Sequence, residues 1–255
     1  MNVGLVLSGG GARGFAHLGV IKGLQENGFK IQAISGVSAG AVAGALIAAG
    51  YKPDKILEIF ISTKLYRFLR PSIKLMGLLK MERVEKLYDL YLPDSFEKLQ
   101  IPLTVCTADI QNGKTVFFDK GPLIKPIMAS CCIPIVFEPL QINGKMYIDG
   151  GILNNLPVEP LLGKCDFIIG VHTNPINLQM QLTSMRAVME RSLLLAIQSN
   201  IKERIGKCNL LIEPPTLNRF TTFDSKKARE IFEIGYAFTM GITDHLLEIR
   251  EKNLI

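Results

Sequence analysis

Long apolar runs, histidines and paired cysteines are all scarce in this sequence of 255 residues, and each scarcity excludes something. The longest largely apolar stretch, Ala41 to Ala49, is too short to span a bilayer. The five cysteines, Cys106, Cys131, Cys132, Cys165 and Cys208, are odd in number and show no CxxC spacing. The start, Met1-Asn2-Val3-Gly4-Leu5-Val6-Leu7, lacks the basic region of an export signal and runs straight into a glycine turn. A cytoplasmic location is therefore expected, with the thiols reduced and packed as small hydrophobes. Cys131-Cys132 has no histidine or second cysteine pair nearby in sequence, so no metal site is expected.

Charge is sparing too. Lysine and arginine number 29 against 23 acidic residues, a formal net charge of +6. Without a clustered basic stripe and stacking aromatics, that excess is no nucleic-acid footprint; it suits an anionic surface such as phospholipid. With 48% hydrophobic and 20% charged residues the composition is globular, not disordered. No repeat, low-complexity tract or linker divides the chain, so one domain over 1–255 is expected, its core at about 3–175 and a helix–strand–helix completion over 176–255.

What is present begins with two glycine turns. Residues 3–7 read as a buried strand and 15–26 as a helix, with Gly9-Gly10-Gly11-Ala12-Arg13-Gly14 between them. Residues 31–34 read as a second strand and 39–49 as a small-residue helix, joined through Gly36-Val37-Ser38-Ala39-Gly40. Two strand–turn–helix units in succession point to an α/β layered sheet with right-handed crossovers. Further on, helices are expected over 53–63, 82–91, 123–130, 180–205 and 226–250. Strands are expected over 103–109 and 114–118, a hairpin about Asn112-Gly113, and over 145–148, 166–171 and 209–212.

Gly36-x-Ser38-x-Gly40 at a strand-to-helix turn exposes a serine at a tight apex, and the following helix aims its N–H dipoles at the reacting centre. The α/β-hydrolase order Ser…Asp…His does not fit. Too few strands precede Ser38, and of the three histidines His17 comes too early, His172 closes a strand and His245 sits in a long helix. Without a histidine the best base is Asp149, a carboxylate ending a strand before Gly150-Gly151. An aspartate of ordinary pKa, about 3.9, is a weak base toward a hydroxyl. It needs a short hydrogen bond in a water-poor site and strong oxyanion stabilisation. The first turn can supply that through the Gly10 and Gly11 N–H groups, with Arg13 adding positive charge. Gly9-x-Gly11-x-x-Gly14 also matches a dinucleotide fingerprint, but the acidic residue that fingerprint requires after the second strand is missing.

Taken in order, the triple-glycine turn, Gly36-Val37-Ser38-Ala39-Gly40 and Asp149-Gly150-Gly151 resemble the patatin-like phospholipase family, especially its compact bacterial members. Ala16-His17-Leu18-Gly19-Val20, Ala129-Ser130, Ile133-Pro134, Phe137, Pro139 and Asn154-Asn155-Leu156-Pro157 extend the similarity over about 3–175. The resemblance implies a three-layer α/β/α sandwich with a mainly parallel sheet. It implies hydrolysis of acyl esters, commonly of lipids, by a Ser38–Asp149 dyad with Gly10, Gly11 and Arg13 at the oxyanion site. Gly9, Gly14, Gly36, Gly40, Gly150 and Gly151 would support the turns, and no metal or organic cofactor is implied. Cys131-Cys132 stands where the family commonly has smaller residues, and His172 where it more often has an acid.

Residues 64–80 carry five basic groups, Lys64, Arg67, Arg70, Lys74 and Lys80, and no acid. Read as function, this is a cover over the acyl site that docks on anionic lipid, each charge contributing about 1 kcal/mol near such a surface. Read as structure, it is an irregular connection whose apolar residues complete the core. A different class also stays open, a non-catalytic, membrane-associated regulatory or adaptor protein that keeps the fold. The intact Ser38, Asp149 and triple glycine argue against it.

Overall fold

A computed structural model describes residues 2–63, 70–72, 76–81, 83–177 and 182–253. Of the basic segment, Lys64, Arg67 and Lys74 lie outside the described residues. The chain opens with strand β1 (Val3–Leu7), a 3-10 turn (Gly11–Gly14) and helix α1 (Phe15–Glu26). Strand β2 (Ile31–Val37), helix α2 (Ala39–Ala48) and helix α3 (Pro53–Ser62) follow. A small ribbon, β3 (Arg70–Pro71) with β4 (Leu79–Lys80), precedes helix α4 (Val84–Tyr88). Next come β5 (Leu103–Asp109), β6 (Lys114–Phe118), α5 (Ile124–Ser130), β7 (Leu140–Ile142), β8 (Lys145–Asp149) and β9 (Phe167–Val171). The chain ends with α6 (Met185–Ile205), β10 (Leu210–Ile212), α7 (Ala228–Gly241) and α8 (Thr243–Asn253).

The main sheet runs β10-β9-β1-β2-β5-β8-β7, with β6 paired to β5. The pairs from β10 to β5 are parallel, and β6, β7 and β8 add an antiparallel side. Side chains of β1 alternate between two cores, as strand geometry requires. Val3, Leu5 and Leu7 face a core that takes in Leu18 and Ile21 of α1, Ala45 of α2 and Phe232 of α7. Val6 faces Ile197 and Ile201 of α6. Helices thus cover both faces of a mainly parallel sheet, a three-layer α/β/α sandwich.

The register of β5 positions the site. Its Leu103–Cys106 half pairs with β2, Val37 opposite Cys106. Its Thr107–Asp109 half pairs with β8, Asp149 opposite Thr107. Because β6 occupies the other edge of β5 at both Cys106 and Thr107, β2 and β8 share one edge. They run in opposite directions and meet end to end. Ser38, the residue that follows β2, and Asp149, the last residue of β8, are thereby brought together.

The elements depart from expectation in several places: the second strand runs on to Val37, and the helix expected over 180–205 begins at Met185, capped by Ser184. The helix over 82–91 is only Val84–Tyr88, because residues 89–92 turn ahead of Pro93. The helix over 226–250 is divided at Ile242, just after Gly241, a poor helix former, and α8 buries Leu246 against the core. β7 was not anticipated. It forms a hairpin with β8 whose two turn residues, Asn143 (φ 48°) and Gly144 (φ 80°), both take positive φ.

Candidate active site

Ser38 is the apex of the β2–α2 turn, with φ 53° and ψ −126°. A non-glycine residue held there stores of the order of 1–3 kcal/mol, which surrounding contacts must sustain. Its N–H donates to Ser130 Oγ at 2.8 Å, and that hydroxyl donates to the Cys106 carbonyl at 2.6 Å. Its own carbonyl accepts from Ala41 and Val42 as α2 begins. Gly36 and Gly40 let α2 approach the strand ends. A Cβ on Gly36 would lie 2.6 Å from the Gly40 carbonyl, and one on Gly40 would run into the Leu7 and Ser8 carbonyls. Gly14 serves the first turn likewise, since a Cβ there would stand 2.5 Å from that of Ala39.

Asp149 caps the turn that follows β8. Its Oδ1 accepts the Gly151 N–H at 2.8 Å, and its own N–H donates to the Cys132 carbonyl at 3.0 Å. Gly150 passes so close to β5 that a Cβ would sit 2.6 Å from the Cys106 carbonyl. Burial pushes the Asp149 carboxyl up to about 6, opposed by hydrogen bonds from the Ser38 hydroxyl and the Gly151 N–H. Among the described residues, Ser38 and Asp149 share one cleft with Gly9, Gly10, Gly11, Gly151, Asn155, Asn174 and Thr222. Ile133, Pro134, Ile152 and, from α6, Leu193, Leu194 and Ile197 supply apolar walls. The arrangement pairs a serine on a strained backbone turn with a raised-pKa carboxylate beside backbone N–H groups and an apolar wall.

The glycine turn forms one rim. Gly9 packs against Ser38, where a Cβ on Gly9 would lie 3.0 Å from that of the serine. Gly11 has φ 55°, and a Cβ on it would collide with Thr222. Arg13 is placed differently from expectation. Its guanidinium turns to Thr222 Oγ1, at 3.0 Å, and toward Glu190, at 3.8 Å, and it is absent from the cleft lining. Burial pulls its pKa down, while Glu190 and Asp224 oppose that shift. A buried guanidinium needs a carboxylate partner, and the partner lies behind the turn. Thr222 completes the support, because its carbonyl accepts the Ala12 N–H at 2.8 Å.

No histidine lines the cleft among the described residues. His17 is fully buried with Nε2 on the Ser8 carbonyl at 2.7 Å, and burial lowers its pKa to about 4. His172 pairs with Glu213 at 2.7 Å, and His245 is exposed beside Glu248. No cluster of three or more His, Cys, Asp or Glu stands close enough to hold a metal ion among the described residues. Of the basic residues at 64–80, Lys80 pairs with Glu138 at 3.8 Å.

Glu190, Thr222, Asn174 and Asn200 carry no local sequence signal, yet all four hold the site. Asn200 on α6 accepts the Asn155 N–H at 3.0 Å and donates to the carbonyls of Gly151 and Ile152. Asn155 in turn accepts the Gly9 N–H at 3.2 Å, tying the aspartate turn to the glycine turn. Ser130 and Asn155 do lie within the resembling motifs, where nothing local announces their roles.

A serine at a tight strand-to-helix turn, a strand-end aspartate and a glycine turn around an apolar cleft on an α/β/α sandwich define the class of protein. The chain belongs to the patatin-like phospholipase family, whose model matches residues 5–162. It is 41% identical over 177 residues to an uncharacterized NTE family protein of Mycobacterium tuberculosis, covering 68% of this chain and 49% of that protein. It is 25% identical to the lysophospholipase NTE1 of Kluyveromyces lactis, covering 98% of this chain and 20% of the yeast protein. The chain thus spans half or less of the length of these relatives. Its fold is like that of VipD from Legionella pneumophila, with a TM-score of 0.55 at 16% identity over 96% of this chain and 67% of that one. Among the described residues no helix is long and apolar enough to cross a membrane.

Proposed function

We propose that this chain is a serine acyl hydrolase that cleaves carboxylic esters of lipids, working as one domain at the cytoplasmic side of a membrane. Ser38 is the nucleophile and Asp149 the base. The observation that carries this reading is the meeting of Ser38 and the buried Asp149 carboxylate, raised to about 6, in one cleft where the ends of β2 and β8 abut. A carboxylate of ordinary acidity would hold a serine proton poorly; raising its pKa by about two units makes it a stronger base that stays ionised above pH 6.

Ser38 Oγ attacks the ester carbonyl as Asp149 takes its proton. The carbonyl oxygen, now negative, is held by the Gly10 and Gly11 N–H groups. Collapse expels the alcohol, which receives the proton from Asp149, and leaves an acyl-serine. Water then attacks the acyl-serine with Asp149 again as base, releasing the fatty acid and restoring the hydroxyl. Arg13 supports this from behind the turn by fixing Thr222, and its field adds to that of the N–H groups. Leu193, Leu194 and Ile197 face the acyl chain. Relatives named as lysophospholipases support lipid esters as the substrate class.

Hydrolysis of short and medium acyl nitrophenyl esters and of a lysophospholipid tests this directly. The wild type should cleave them, and Ser38→Ala and Asp149→Asn should not. Activity that survives both substitutions overturns the mechanism. A folded wild type inert toward every ester overturns the hydrolase reading in favour of a regulatory protein that keeps the fold.

A further inference from the structure

Three side chains converge on the carbonyl of Gly9. Asn174 Nδ2 donates to it at 2.5 Å, Thr173 Oγ1 at 3.4 Å and Asn155 Nδ2 at 3.5 Å. The last two lie at the outer limit of hydrogen bonding, so Asn174 holds this oxygen. Asn174 is 2% exposed, and its Oδ1 has no partner. A carbonyl only accepts, so the amide must turn its NH2 toward Gly9, which settles the orientation of the side chain.

A trans peptide is planar, with its C=O and N–H pointing in opposite directions. None of the described peptides is cis. Holding the Gly9 oxygen therefore aims the Gly10 N–H away from Asn174. No acceptor within the protein is paired with that N–H among the described residues, and Gly10 lines the cleft. The grip has a reason in the sequence itself. The Gly9–Gly10 peptide is flanked by glycines, whose backbone dihedrals are nearly unrestricted, so without an anchor it rotates at little cost.

We propose that Asn174 is a positioning residue for the oxyanion donor: its amide clamps the Gly9 carbonyl so that the Gly10 N–H is already aimed when the tetrahedral intermediate forms. This rests on the acyl-hydrolase reading. Preorganised donors of this kind are effective because nothing has to reorient during the reaction.

The test compares wild type with Asn174→Ala and with Asn174→Leu, which keeps nearly the same shape and has no donor. Ester hydrolysis should lose about 10- to 100-fold in kcat, with KM changed less than about two-fold. Affinity for a trifluoromethyl ketone, which forms an oxyanion adduct on Ser38, should fall by the same factor. The pH limb of Asp149 near 6 should stay where it is. In 15N-glycine-labelled protein the Gly10 amide should gain backbone motion, read as a lower order parameter in 15N relaxation. Unchanged kcat and ketone affinity overturn the proposal, as does a loss confined to KM. If the wild type neither hydrolyses esters nor binds the ketone, the acyl-hydrolase reading has failed. The Gly10 order parameter still judges the clamp in that case, and an unaltered value in Asn174→Ala overturns it. Should Asn174→Ala fail to fold, Asn174→Leu carries every comparison.

Discussion

The floor of the cleft and its wall are built by different means. The floor consists of three strand ends, Gly9–Gly11 after β1, Ser38 after β2 and Asp149 at the end of β8, each at a turn of a few residues. The wall comes from α6 and the loop at 215–224, which reach the floor through contacts between residues far apart in the chain. Arg13 and Thr222 are 209 positions apart, and Gly9 and Asn174 are 165 apart. The floor holds the reacting atoms and the wall holds the floor. Chemistry should therefore fail outright when the floor is changed, and should decline by degrees when the wall is.

The largest separation between the two comes from Ser38→Ala. Removing the nucleophile should lower kcat by at least about 10⁴-fold while leaving the melting temperature close to that of the wild type. A residual rate within about 100-fold of the wild type would place the nucleophile elsewhere.

On the wall, Glu190→Ala leaves the Arg13 guanidinium buried without its carboxylate. Breaking a buried pair costs about 3–5 kcal/mol, which should appear as a lower melting temperature. Turnover should fall about ten-fold at a temperature where the variant is folded, since Thr222 loses the acceptor of both its N–H and its hydroxyl. A variant as stable as the wild type would mean that this network does not brace the glycine turn.

Asp149 sets activity against stability on the floor itself. Its carboxyl titrates at about 6 when folded, against about 3.9 when unfolded. The folded state therefore holds the proton more tightly, so this group's contribution to stability falls as pH rises from about 4 through 6. The folded chain carries a buried charge above that range at a cost of about 3 kcal/mol. Asp149→Asn should be inactive yet melt several degrees higher at pH 8, with the gain vanishing below about pH 4. A lower melting temperature at pH 8 would contradict the burial of an ionised carboxylate.

The smallest effect is expected from the basic residues at 64–80. Vesicle flotation should show weak binding to anionic lipid that high salt removes, through Lys64, Arg67, Arg70 and Lys74. Equal binding to neutral vesicles at low and high salt would exclude it. Lys80, paired with Glu138, should contribute little.

Legibility followed the same division. Ser38 and the glycine turns could be found because strand, turn and helix lie within a dozen residues and the glycines mark places where backbones touch. Asp149 followed from Gly150-Gly151 at a strand end. The end-to-end meeting of β2 and β8 was out of reach, since it depends on two strands sharing one edge of β5. Arg13 was assigned to the oxyanion because it is near in sequence; its partner Glu190 lies on a helix that no local pattern places behind the turn. The break in the last helix had a visible cause in Gly241, but periodicity on both sides concealed it. Asn174 gave no signal at all, because its role is defined by the peptide it holds.

The central claim is that Ser38 is made nucleophilic by Asp149 without a histidine. Its most direct measurement is the rate at which a fluorophosphonate labels the protein, followed across pH with the labelled peptide mapped by mass spectrometry. A single adduct on Ser38 is expected, its rate rising with pH through about 6 and lost in Asp149→Asn. An adduct on another residue, or an undiminished labelling rate in Asp149→Asn, would contradict the dyad.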